Sequence, residues 1–303
     1  MDLNSVFAEY REHTWYFVRP GGNWGDYLIY EGAEWLADSL CLNWKTIEMT
    51  SFQGLEEVPE NTCIYIHGSG GYNSWCSGTP FSIFGKACRL NARVVVQGPC
   101  TLSEERSYLE QRFNSTTAAR KCDRAIFFTR ELVSLGIAQS LASSSLDGVE
   151  IEIDHDTAFL LKNSEKLTEM VGDHQESPID LWVVRTDSEK RREPNAPSFA
   201  YLKLDPAEDC SSFSHWTRVH TRANRVFTNR LHSAIYAYLI GKEVVVYPGA
   251  YHKVHSVWKY SMEAQGVLWG PSEFNAPKLA AMVPSKLYQS YKVRKFLRQR
   301  FFD

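Results

Sequence analysis

Short runs of continuous apolar residues alternate along the chain with segments whose apolar positions recur at helical spacing. Thr14–Val18 leads through Gly21-Gly22-Asn23-Trp24-Gly25 into a stretch with Leu28, Ile29, Ala33, Leu36, Ala37 and Leu40 at helical intervals. Cys63–Ile66 runs into a second glycine cluster, Gly68-Ser69-Gly70-Gly71. Arg93–Val96 precedes a polar, helix-like segment from Ser103 to about Phe113; Ala125–Phe128 precedes another that starts near Glu131; Val149–Ile153 closes the first half. In the second half Asp180–Val184, Arg225–Thr228 and Glu243–Tyr247 read as strands, and helical patterns follow the last two. Strands covered on both faces appear as unbroken apolar runs, whereas half-exposed strands alternate. The pattern therefore predicts an α/β protein with parallel sheets, in two Rossmann-like halves.

The polar stretch Lys162–Ser177 is the expected linker, which sets domains at about 1–165 and 175–303. Thr186–Ser198, with Lys190, Arg191, Arg192, Pro194 and Pro197, reads as a loop within the second half. In folds of this class ligands sit beyond the carboxyl ends of the strands, so the residues just after each strand carry the interest.

Val226–Tyr260 is the richest such stretch. The pattern places Asn229 as a helix N-cap, with Leu231, Ile235, Tyr238 and Leu239 on the buried face and Gly241 as the stop. Arg230 and His232 then fall in the first turn, beside unpaired N–H groups and the positive end of the helix dipole, where a carboxylate or phosphate is favoured. Lys253, after Pro248-Gly249, is expected to reach the same crevice. A surface or capping pair would give the same Arg and His.

Composition narrows the classes. The chain has 303 residues, 44% hydrophobic and 23% charged, with a net charge of −3, which argues against nucleic acid as a partner. Seven scattered cysteines without Cys-x-x-Cys spacing suggest thiols in a reducing compartment, and the nine histidines show no metal-ligand spacing, so no metal is expected. Neither a leader-like start nor a spanning apolar run is evident, and a cytoplasmic location is expected. There is no Walker lysine and no Gly-x-Gly-x-x-Gly loop.

Thr228–Ser233 (Thr-Asn-Arg-Leu-His-Ser) with the downstream Lys253 resembles the signature of the polysaccharide pyruvyltransferase family, and Gly22–Ile29 resembles that family's opening motif. Weaker echoes lie at His67–Gly71, Gln97-Gly98-Pro99, Thr129-Arg130-Glu131, His155–Phe159 and Arg185-Thr186-Asp187; the order matches from residue 22 to about 260. The glycine turn and Gln97-Gly98-Pro99 depart from the family's usual forms. The resemblance implies two Rossmann-like domains facing a cleft, similar to GT-B glycosyltransferases, with an acceptor side in the first half and a phosphoenolpyruvate side in the second. It implies transfer of the pyruvyl group of phosphoenolpyruvate, the co-substrate, onto two hydroxyls of a sugar in a bacterial surface glycan or its lipid-linked precursor, with no further cofactor.

On that reading Arg230, Leu231, Lys253, Arg130 and Arg185 bind the donor. His232 is the general acid or a phosphate ligand, and Asp26 the base for the acceptor hydroxyl; Asp26 is equally what a helix dipole favours in a first turn. Asn23, Trp24, Asp26, Gly70 and Gly71 line the acceptor side. Two other readings compete: a GT-B-type glycosyltransferase using a nucleotide sugar, and a non-catalytic glycan-binding protein of the same fold. Lys286–Phe302, basic with interleaved aromatics, reads as a terminal helix packing back on the first domain, or as a peripheral contact with an anionic inner membrane face.

Overall fold

The computed structural model describes residues 1–76, 78–117, 119–173, 179–187, 189 and 201–270. The chain divides into two compact units, one of residues 1–22 and 28–160, the other of residues 23–27 and 161–303.

The first unit carries α1 (Leu3–Glu9), β1 (Thr14–Val18), α2 (Trp24–Ser39, its first turn counted with the second unit), β2 (Asn43–Ile47) and α3 (Met49–Gly54). These are followed by β3 (Thr62–Ile66), α4 (Thr79–Cys88), β4 (Val94–Cys100), α5 (Arg106–Thr117), β5 (Arg124–Thr129), α6 (Leu132–Leu141) and β6 (Glu150–Ile153). Its six strands lie in the order β2-β1-β3-β4-β5-β6, all pairs parallel. Successive strand residues feed two separate cores. Trp15, Phe17, Cys63, Tyr65, Val94 and Val96 pack with Leu3, Phe7 and Ala33 on one face. Tyr16, Val18, Ile64, Ile66 and Val95 pack with Phe81, Phe84 and Phe113 on the other. Helices on both faces explain why these strands read as unbroken apolar runs.

The second unit continues with α7 (Glu165–Val171), β7 (Asp180–Val183), β8 (Tyr201–Leu204), α8 (Pro206–Asp209), α9 (Phe213–Arg222), β9 (Arg225–Thr228), α10 (Leu231–Leu239), β10 (Glu243–Val246), α11 (Lys253–Val257) and β11 (Leu268–Trp269). Its strands run β8-β7-β9-β10-β11, again parallel. The order reverses between β7 and β9, and that switch point is where an open α/β sheet parts its loops to form a crevice.

The expected linker instead contains α7, because the Ser164 hydroxyl caps it by accepting from Leu167 N–H (3.0 Å) and Leu167 gives it a buried anchor. Positions 190–198 of the expected loop, His174 and the segment Lys286–Phe302 lie outside the described residues. Among the described residues no helix is long and apolar enough to cross a membrane.

Candidate functional site

The switch point of the second unit gathers six charged side chains. Arg185 follows β7 and Arg230 follows β9; both are buried. The junctions are stitched to each other by Asn229, whose Oδ1 accepts from Arg185 N–H (2.9 Å). That bond corrects the expected cap. Asn229 is not the N-cap of α10; the position belongs to Arg230, in extended conformation at φ −97° and ψ 120°, with no side chain capping the helix. Arg230, at the cap position, offers no side-chain acceptor to the first-turn amides of α10. The stop is as expected, Gly241 taking the left-handed conformation (φ +74°) just beyond the helix.

Three carboxylates meet the cations. Asp205, almost fully buried, accepts from both Nε and Nη2 of Arg230, the latter at 2.6 Å, and from the backbone and hydroxyl of Thr186 (2.8 and 2.9 Å). Asp187 takes a fork from Arg185 Nε and Nη2 (3.0 and 2.9 Å), a bond from Arg230 Nη2 (2.9 Å) and one from Glu189 N–H (3.1 Å). Glu189 lies between Lys253 Nζ and Arg185 Nη1, each 2.6 Å away. Lys253 opens α11 and does reach the crevice, as expected.

Burial works against charge on Asp187, but the Arg185 fork and Arg230 outweigh it and bring the carboxyl down to about 2. Burial also opposes ionisation of Glu189, and Lys253 and Arg185 nonetheless hold it below the ordinary carboxylate range. Arg185 is in turn held above its ordinary value, its desolvation outweighed by Asp187 and Glu189.

His232, in the first turn of α10, faces the segment Asn23–Tyr27. Its Nδ1 is 3.8 Å from Asp26 Oδ1, within electrostatic reach and beyond hydrogen-bond range. Gly25 is packed so closely that a Cβ there would lie 2.9 Å from His232 Cβ and 3.1 Å from Nδ1. Asn23 and Asp26 form a reciprocal capping pair at the start of α2: Asn23 Oδ1 accepts from Gly25 N–H (2.9 Å) and Asp26 Oδ2 from Asn23 N–H (2.8 Å). One oxygen of Asp26 thus fixes the turn while the other is the one nearest the imidazole. Half-buried aromatic rings continue from the same turn. Trp24, its Nε1–H donating to Cys210 C=O (2.8 Å), lies 5.4 Å from Tyr27, and Tyr27 stacks on Phe213 at 5.7 Å.

Of the remaining expected site residues, Arg130, Gly70 and Gly71 belong to the first unit and Leu231 to the second. Arg130 is a buried member of the first unit, its guanidinium bonded to Asp156 (2.7 Å) and Thr101 (2.8 Å). Gly70 and Gly71 belong to the first unit's turn after β3, where Gly70 C=O accepts from Asn73 Nδ2 (2.8 Å) and a Cβ on Gly71 would meet Pro80 at 2.9 Å. Leu231 buries its side chain, leaving only its N–H at the helix pole. Sequence reasoning missed Glu189, Asp205 and Phe213 and treated Asp187 only as part of a motif. Leu204-Asp205-Pro206 carried a usable signal, an N-cap aspartate before a first-turn proline, and the structure has that cap.

No family model matches the chain, and no curated protein does. Among solved structures, a functionally uncharacterised protein of Klebsiella pneumoniae subsp. pneumoniae is similar with a TM-score of 0.64. The match has 19% identity and covers 89% of this chain and 97% of that one. At that identity the likeness speaks for the α/β fold alone.

Proposed function

We propose that the chain is a ketal pyruvyltransferase, moving the pyruvyl group of phosphoenolpyruvate onto two hydroxyls of a sugar in a surface glycan or its lipid-linked precursor. One observation carries the reading. Asn23–Asp26 and Arg230–His232, some 200 positions apart in sequence, meet beside a switch point that also holds Arg185 and Lys253. The GT-B-like arrangement implied by the resemblance belongs to the proposal.

Phosphoenolpyruvate presents a carboxylate and a phosphate. Arg230, Arg185, Lys253 and the uncapped pole of α10 supply the fork, the point charge and the backbone donors that such a dianion requires. In the proposed sequence His232 gives a proton to the methylene carbon, turning it into the methyl group, and C2 becomes electron-poor. The first sugar hydroxyl bonds to C2 and yields its proton to Asp26. The C2–O bond to phosphate then breaks, the electron pair leaving with phosphate, and the second hydroxyl closes the ketal as its proton passes to the departing phosphate. Preorganised positive charge at the leaving oxygen supplies a large part of the stabilisation in reactions of this kind. Trp24, Tyr27 and Phe213 offer apolar faces for a pyranose ring next to Asp26.

The full pairing of the three cations with three carboxylates favours a second reading, a glycan-binding protein without donor chemistry. Phosphate release from phosphoenolpyruvate across a panel of sugar acceptors tests both. Acceptor-dependent release that vanishes in His232→Ala and Arg230→Ala is expected. Glycan binding with neither release nor phosphoenolpyruvate binding would move the conclusion to the second reading.

A further inference from the structure

The three carboxylates of the switch-point cluster are not equally anchored. Asp205 is locked by Arg230 on two nitrogens and by the backbone and hydroxyl of Thr186. Asp187 is locked by the Arg185 fork, by Arg230 and by a backbone N–H. Glu189 differs. Among the described residues its carboxylate is held by two cations alone, Arg185 Nη1 and Lys253 Nζ, with no backbone or hydroxyl donor. It lies outside any helix or strand, yet its side chain is only 11% exposed, so the group is drawn into the crevice by the charges it meets there.

We propose that Glu189 is a stand-in for the carboxylate of an anionic small-molecule ligand, occupying the Arg185–Lys253 clamp until such a ligand exchanges with it. The physical case is one of charge balance. Among the described residues the six groups, all ionised, sum to zero, so an incoming polyanion gains net attraction to these side chains only if one carboxylate leaves. Arg185 Nη1 and Lys253 Nζ, both drawn to one oxygen of Glu189 in a partly desolvated crevice, repel each other, and a resident carboxylate offsets that repulsion. A carboxylate-for-carboxylate exchange keeps one anion between the two cations at both ends of the event, and it discriminates: a ligand lacking a carboxylate does not reproduce what Glu189 supplies. Asp187 and Asp205 stay in place and keep Arg230 and Arg185 oriented. In the pyruvyltransferase reading, on which the identity of the ligand rests, the exchanged group is the carboxylate of phosphoenolpyruvate.

The test is calorimetric titration of the full chain and of Glu189→Gln and Glu189→Ala with phosphoenolpyruvate, malonate and inorganic phosphate, beside a melting curve for each protein. Removing the resident charge should tighten the two carboxylate ligands about tenfold, the order expected for deleting one competing like charge, and should tighten phosphate less. Equal or weaker carboxylate binding in the variants overturns the proposal while leaving the donor assignment intact. Tightened malonate with no binding of phosphoenolpyruvate in any protein supports the exchange and removes the donor assignment instead. Loss of folding in both variants would show Glu189 to be a structural tie, and the proposal would fall.

Discussion

Arg130 and Arg230 occupy similar local settings, one in each unit, and do different things. Arg130 directly follows β5 and precedes α6; Arg230 follows β9 by one residue and precedes α10. In the first unit the junction is closed. Arg130 is 1% exposed against Asp156, and the pole of α6 is capped by Glu131, which accepts from Val133 N–H (2.7 Å) and Ser134 N–H (3.0 Å). In the second unit the pole of α10 has no side-chain cap and its arginine meets carboxylates brought by separate loops. Sheet order accounts for the contrast. β9 borders the strand reversal, whereas β5 lies between β4 and β6 with no reversal beside it. A strand-to-helix arginine meets carboxylates from separate loops where the strand order reverses, and here serves packing where it does not.

The largest expected effect breaks the closed side. Asp156→Ala removes a buried carboxylate bonded to Arg130 in the first unit's interior and should cost about 3–5 kcal/mol of stability, read from the urea unfolding curve. If the midpoint shifted by less than about 1 kcal/mol, Arg130 and Asp156 would not be acting as a buried structural pair.

Next comes a change on the open side that touches function more than folding. Gly25→Ala places a methyl group against His232, so phosphate release should fall about 10- to 100-fold, the size of effect that displacement of a reacting group produces. Global stability should move by about 1 kcal/mol or less, since the helical advantage of Ala over Gly offsets part of the crowding. Unchanged turnover would separate His232 from the chemistry.

Strands buried on both faces were legible in the sequence because burial writes itself as an apolar run; β1, β3, β5 and β9 lie within a residue of where that rule puts them. The edge strand β2 was not, because Asn-Trp-Lys-Thr-Ile is largely exposed and carries no such run. Arg185, Arg230 and Lys253 could be found among the residues that come just after the strands. Their partners were less legible: Asp187 and Glu189 lie two and four residues after Arg185 and Asp205 carries an N-cap signal, but the meeting of these carboxylates with Arg230 and Lys253 depends on the fold and on no local spacing. Asn229 misled for a related reason: its side chain suits an N-cap, but a backbone donor at residue 185 competes for the same oxygen and wins.

A smaller effect sharpens the contrast between the two helix poles. Glu131→Ala removes the cap of α6 and should lower stability by about 1–2 kcal/mol, the upper part of the range for N-caps, with phosphate release per folded molecule unchanged. A fall in turnover at constant folded fraction would mean that the first unit's pole also serves the reaction.

The smallest effect is the acid response, and it distinguishes the two interiors by how they treat a buried imidazole. In the first unit His67 is enclosed by Phe17, Tyr30 and Tyr65; burial lowers its affinity for a proton, and Glu34, 3.4 Å from Nε2, works the other way. In the second unit His220 has no carboxylate neighbour among the described residues; burial against Trp216 and Tyr236 brings it down to about 4 from 6.5, opposed by the Trp216 carbonyl. Between those two values the unfolded chain holds a proton at this position that the folded chain does not, so stability rises with pH across the window. The neutral imidazole's full contribution is present above about 6.5 and is lost as pH falls toward 4. Asp187 extends the loss further into acid. Its carboxyl is depressed to about 2 from 3.8, so its contribution is complete above 3.8 and disappears as pH falls through 2. Urea midpoints followed by fluorescence at intervals from pH 7 to 3 should therefore fall less steeply between pH 6.5 and 4 in His220→Gln than in the wild type. Asp187→Asn should flatten only the part below pH 3.8. Parallel slopes in His220→Gln and wild type would mean that the second unit opens to water around His220 before the protein unfolds, and the contrast with His67 would then lie in solvent access and not in the missing carboxylate.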